Sequence, residues 1–242
     1  MLDMALKNIW QRKTRSLLTV AGVGVAVTLY IYMSVIMNWY DQDLQHRLSS
    51  MAGKVTVAAK NETEKGFPTA SSVITVTDAE AVLKLDGVDV SRSTPVLLQP
   101  LVSNPSPNMP PLVQAVGLVP GREAAYVGDA RVQGSAALTG PDDVLLGTKA
   151  AAHFGKAAGD SLVIQDHAFK VVGVIELSHE LLNNAVIMPL QTVQSTFVRP
   201  GVVTLVYVTA AKPDKMEPLA TAIQEGNRKL QATTPAGMAR SL

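Results

Sequence analysis

An α+β fold behind one membrane-spanning helix is what this sequence predicts, and three observations carry the prediction. The 25 residues from Ser16 to Tyr40 hold no charge. Beyond them, short β-branched runs alternate with helix-compatible stretches, and glycine, proline and asparagine punctuate the change. The mean hydropathy of +0.19 is high for a soluble chain and low for a polytopic one, which fits one span joined to a globular part.

The anchor comes first. Twenty-five residues at 1.5 Å each rise roughly 37 Å, more than the ~30 Å hydrocarbon core. A cleaved signal peptide has a shorter apolar region ending in a small-x-small site, whereas this run ends in Asn38-Trp39-Tyr40-Asp41; the span is read as uncleaved. Lys7, Arg12, Lys13 and Arg15 precede it with only Asp3 against them, and Asp41 and Asp43 follow. The positive-inside rule then keeps the N-terminus in the cytoplasm and exports the rest. Those four cations belong at the inner leaflet, and Trp39 and Tyr40 at the outer interface. Leu2, Ala5, Leu6 and Ile9 recur at helical spacing, so residues 1–15 read as an amphipathic helix along the cytoplasmic face. Gly22 and Ala26, in small-xxx-small spacing, are candidates for close packing against another helix in lipid.

Residues 41–52 read as a stalk continuing the span, and residues 53–232 as the exported domain. Lys54–Ala58 and Val73–Thr77 are expected strands with a loop, "NETEKGFP", between them. Thr77-Asp78-Ala79-Glu80 has the form of a capping box opening a helix to Leu85, stopped by Asp86-Gly87. Val88–Leu101 is strand-like. "SNPSPNMPP" has four prolines in nine residues and must be a loop. Leu112–Val119 is an expected strand followed by a less regular stretch over about 121–141, and about 102–141 is expected to form a small β-rich subdomain inserted in the domain; the family resemblance given below implies that it is variable. Then follow the strand Val144–Leu146, the helix Lys149–Phe154, a turn over 155–160, and the strands Leu162–Ile164 and Ala168–Ile175. Ala185–Met188 is a strand leading into a helix at Leu190–Phe197, and Val202–Thr209 is another strand. Met216, Leu219, Ile223 and Leu230 share a face of a helix over Asp214–Leu230. No internal repeat is visible.

Charge and motifs exclude several function classes. With 21 basic against 20 acidic residues, the chain lacks the basic face a nucleic-acid binder needs. The absence of cysteine removes disulfide frameworks, thiolate zinc sites and cysteine catalysis together. Gly159-Asp160-Ser161-Leu162 matches an esterase signature, but a nucleophile elbow follows a strand, whereas Ser161 ends a turn and begins one. His179-Glu180-Leu181-Leu182-Asn183 has asparagine where a zinc-binding helix needs its second histidine, and His46, His153 and His167 are scattered. Gly155-Lys156 is followed by Ala157, which breaks the phosphate-loop pattern. Asp142, Asp143, Asp160 and Asp166 read as turn and cap carboxylates rather than an acid–base pair. No catalytic, metal or cofactor residue is assigned, and the chain is not read as an enzyme; a membrane-tethered esterase built on Ser161 is the remote alternative.

A basic amphipathic start, one span and a stalk into an α+β domain resemble the permease subunits of MacB/FtsX/LolC-type ABC transporters. The distinctive match is "VLLGTKAAAHFGKAAGDSLVIQDHAFKVVGVIE…AVIMPLQTVQ", which is similar to that family's periplasmic core pattern; "VQAVGLVPG" resembles the strand before its variable subdomain. The resemblance covers most of residues 1–232. It implies a bacterial inner-membrane protein with its main domain in the periplasm, relaying the motion of a separate ABC ATPase in export or in lipoprotein or substrate extrusion. It also implies a second permease copy and a periplasmic adaptor as partners, beside membrane lipid. Family members carry three further spans, so residues 233–242 are expected to mark a truncation point. A self-contained single-span binding or scaffolding protein is the alternative.

Overall fold

The computed structural model describes residues 13–50, 54–60, 63–64, 67–68, 71–102, 112–128, 130–177 and 180–237. Two compact units emerge, Met1–Ser49 and Ser50–Leu242. In the first, α1 (Lys13–Ser50) is a single helix of 38 residues, roughly 57 Å long at 1.5 Å per residue. Its Leu17–Met37 stretch has a mean hydropathy of 2.0 and no buried residue, so length and composition suit a bilayer crossing. Within it, the hydroxyl of Thr28 donates to the carbonyl of Gly24 at 2.8 Å, which satisfies a polar group that lipid could not. The helix runs on unbroken through the polar residues after Tyr40.

In the second unit, β1 (Lys54–Ala59) is followed by a minimal hairpin, β2 (Thr63–Glu64) and β3 (Phe67–Pro68), inside the expected loop. The strand expected over Val73–Thr77 shrinks to β4 (Ile74–Thr75), because α2 (Val76–Leu83) begins earlier than the Thr77 box suggests. Thr75 is the N-cap: its hydroxyl accepts the N–H of Asp78 and donates to the Asp78 carboxylate at 2.7 Å. The capping logic is the one expected, displaced by two residues. The remaining elements are β5 (Val88–Val102), β6 (Val113–Leu118), α3 (Ala124–Val127), β7 (Arg131–Gly134), β8 (Asp143–Gly147), α4 (Thr148–Phe154), β9 (Ser161–Ile164) and β10 (His167–Glu176). After a 3-10 turn at Glu180–Asn184 come β11 (Ala185–Pro189), α5 (Leu190–Thr196), β12 (Val202–Val203), β13 (Leu205–Ala210), α6 (Met216–Gly226) and β14 (Leu230–Thr233). Leu230 is therefore not on the last helix: α6 ends at Gly226, and Leu230 starts a strand that buries its side chain in the core.

Among the described residues ten strands form one mixed sheet in the order β14-β1-β13-β5-β6-β11-β8-β10-β7, with β9 also paired to β10. The β6–β11 and β8–β10 pairs are parallel and the others antiparallel. The described residues of the 102–141 stretch are built into this sheet: β6 lies between β5 and β11, and α3 packs on the sheet's second face. On the first face, α2, α4, α5 and α6 bury Val82, Ala150, Val193 and Ile223 against Val57, Leu97, Leu146 and Val206. Each fully buried aliphatic side chain contributes about 1.5–3 kcal/mol. On the second face, Tyr126, Val127, Leu138 and Leu177 cover Val96, Val116, Leu145 and Ile187. Gly117 permits the close seating of α5, since a Cβ there would stand 3.1 Å from the Val193 side chain.

Candidate functional site

The segment carrying the esterase-like signature resolves into a turn whose polar groups bond to one another. Gly155 closes α4 in the left-handed conformation, and the N–H of Lys156 donates to the carbonyl of Ala151. The Asp160 carboxylate accepts the N–H of Ala157 at 2.8 Å. Gly159, at φ +97°, donates its N–H to Val171 at 2.7 Å. Ser161 then opens β9 opposite Lys170, while His167 stands opposite Ile164, three positions along the hairpin. At ~3.3 Å per residue that is roughly 10 Å of strand, several times the 2.6–3.2 Å reach a serine–histidine pair needs. His167 instead pairs its Nε2 with Asp142 Oδ1 at 2.8 Å, both side chains exposed, and its ring meets Phe169 edge-on. The pair ties the turn before β8 to the β9–β10 hairpin.

The metal-like motif is equally structural at the residue that departs from it. The side-chain amide of Asn183 donates to the carbonyl of Leu177 at 3.0 Å, and its oxygen accepts the Leu177 N–H at 2.8 Å. This two-point clamp joins the 3-10 turn at Glu180–Asn184 to the residue that follows β10. Asn183 sits against Gly147, where a Cβ would collide with the Asn183 backbone carbonyl, so glycine there is a requirement of close approach. His179 lies outside the described residues. Among the described residues no three His, Asp or Glu side chains stand together in a metal-holding group.

Asp143 is a buried cap. Its carboxylate accepts N–H bonds from Thr139 (2.9 Å) and Gly140 (2.7 Å) and the hydroxyl of Thr139 (2.8 Å). Burial alone would raise its pKa, but these bonds and the nearby Lys170 charge outweigh it and hold the group below the usual aspartate value.

Of the residues assigned to the membrane, Lys7 and Arg12 lie outside the described residues, as do the side chains of Lys13, Arg15, Trp39 and Tyr40 within α1. Gly22 and Ala26 are exposed on the helix, and nothing approaches within 4 Å of a Cβ placed on Gly22. An open groove of about 820 Å³ between α6 and β14 is lined by Lys60, Arg228, Glu225 and Gln224. Lys60 and Arg228 stand there with the single carboxylate of Glu225.

Three features escape sequence reading because their partners are distant in sequence. Lys54 Nζ donates to the carbonyl of Ala125, 71 positions away, at 2.6 Å. The hydroxyl of Tyr126 is buried with no hydrogen-bond partner among the described residues, its ring 6.0 Å from that of Tyr207. Thr234 caps a helical turn at 235–237, accepting the Gly237 N–H and donating to Glu217 Oε1 at 2.7 Å. The Pro235 after the cap was the only local signal, since proline suits a first helical position.

Comparison with solved structures places this architecture. The periplasmic region of MacB from Actinobacillus actinomycetemcomitans superposes with a TM-score of 0.59 at 12% identity, covering 78% of this chain and 92% of that one. The extracellular domain of the noncanonic ABC-type transporter YknZ from Gram-positive bacteria superposes at 0.52 with 15% identity, over 75% of this chain and 100% of that one. No curated protein sequence matches the chain. At these identities the two structures speak for the fold; the sequence itself matches the MacB-like periplasmic core domain across residues 16–225. The chain belongs to the MacB-like periplasmic core domain family, and is thus part of an ABC-transporter permease.

Proposed function

We propose that this chain is a membrane-anchored mechanical subunit that passes the ATP-driven motion of a separate ABC ATPase to an extracytoplasmic domain, in export or in extrusion of a lipoprotein or other substrate. One observation supports this reading most: α1 runs as a single helix from its apolar stretch to Ser50, four residues before the first strand of the sheet. An unbroken helix carries rigid-body displacement where a flexible linker would absorb it. The flanking charges favour a cytoplasmic N-terminus, and Gly22 with Ala26 offers a surface for another helix of the permease, from this copy or a second one.

The test is co-expression with an ABC ATPase encoded beside this gene. The reading expects the two to purify together from detergent, and expects ATP hydrolysis to change when this chain is present. An ATPase that neither co-purifies nor changes its turnover in lipid nanodiscs would leave a self-contained scaffold as the better account.

A further inference from the structure

α3 is one helical turn laid on the second face of the sheet, with forces on it that oppose each other. Lys54 holds it through the carbonyl of Ala125. The Glu123 carboxylate braces it by accepting the N–H groups of Gly121 and Leu138 at 3.1 and 3.2 Å. Against these stands the hydroxyl of Tyr126, taken out of water and given no partner among the described residues. Burial has pushed the pKa of Tyr126 up, as expected of a phenol taken out of water. A buried hydroxyl without a partner favours any state in which water reaches it. Lys54 is also the first residue of β1, four positions after Ser50 in sequence, so it is the point at which the chain enters the sheet.

We propose that Lys54 is a latch: its bond to Ala125 holds α3 closed over Tyr126, and withdrawal of Lys54 frees the turn so that the Tyr126 hydroxyl becomes hydrated. The device is a local two-state element biased from the point where the chain enters the sheet. It rests on the permease reading only for what withdraws Lys54. Its own test uses the full chain in detergent with no ATPase, so a failed co-purification and a failed latch are separate results.

The measurement is hydrogen exchange at Ala125, Tyr126, Val127 and Gly128, whose N–H groups all donate within the turn, to Arg122, Glu123, Glu123 and Ala124. Lys54→Met, which keeps an apolar stem and loses the donor, is expected to speed exchange there at least fivefold while leaving β8 and β10 unchanged. Lys54→Arg is expected to keep the wild-type rate. Tyr126→Phe added to Lys54→Met is expected to slow exchange again, because the reward of hydration is gone. Unchanged exchange in Lys54→Met, or an equal acceleration in β8 and β10, overturns the latch. Should Lys54→Met fail to fold, Tyr126→Phe alone decides: slower exchange in α3 supports the latch, and an unchanged or faster rate overturns it.

Discussion

The carboxylate of Asp143 stands at the head of β8 with three donated hydrogen bonds, and its protonation is therefore tied to folding. Its folded pKa lies below the ordinary value. Its stabilisation is thus complete above about pH 4, where the unfolded group is ionised too, and is lost as pH falls through the folded value. Asp143→Asn is expected to lower stability at pH 7 by about 1–3 kcal/mol, the usual loss for hydrogen bonds to a charged acceptor. Urea unfolding at stepped pH checks this: the gap between variant and wild type should narrow below pH ~4. A gap that persists undiminished to pH 3 contradicts the assignment. As a turn carboxylate, Asp143 was legible from its place before a strand. Its burial was not, because the turn over residues 139–143 covers it only in three dimensions.

Helix ends show the same mixture at the scale of elements. α5 closes with Val198 at φ +52°, its N–H on Ser195 and the next N–H on Gln194, the bonding pattern in which glycine normally takes the left-handed position. A β-branched residue there costs about 1–2 kcal/mol, and at 81% exposure its side chain gains little packing in return. Val198→Gly is accordingly expected to stabilise the chain by about 0.5–1 kcal/mol after the greater unfolded-state entropy of glycine is subtracted. A urea midpoint that falls on this substitution would show that Val198 is held by something other than the turn. Nothing in "TFVRPG" announces the strain; Pro200-Gly201 signals only that the helix must stop. Periodicity marked β1, β5, β6, β8, β10, β11 and β13 well, because alternation and β-branching are local. It misplaced the cap of α2 and carried the last helix past Gly226 to Leu230, where apolar spacing alone cannot tell a fifth helical turn from the start of a strand.

For the whole molecule, orientation can be tested directly because the chain has no cysteine, so one introduced thiol reports alone. Lys212→Cys, an exposed site in the sheet domain, is expected to react with a membrane-impermeant maleimide in intact spheroplasts. Asn8→Cys should react only after lysis. The reverse pattern would sink the outward placement of the domain. The order of strands was the least legible property of all: β1 pairs with β13 and β14, and no local pattern names a partner that far along the chain. That pairing also sets a timetable for biogenesis. β1 leaves the ribosome early but waits for residues beyond Leu205, roughly 7–30 s later at ~5–20 residues per second. Through that interval "VTVAA" is an apolar strand with neither neighbour yet made. Maturation of this domain therefore favours slow, non-local closure after the chain has been delivered, and the newly made protein is most exposed to misassembly just before its last strand arrives.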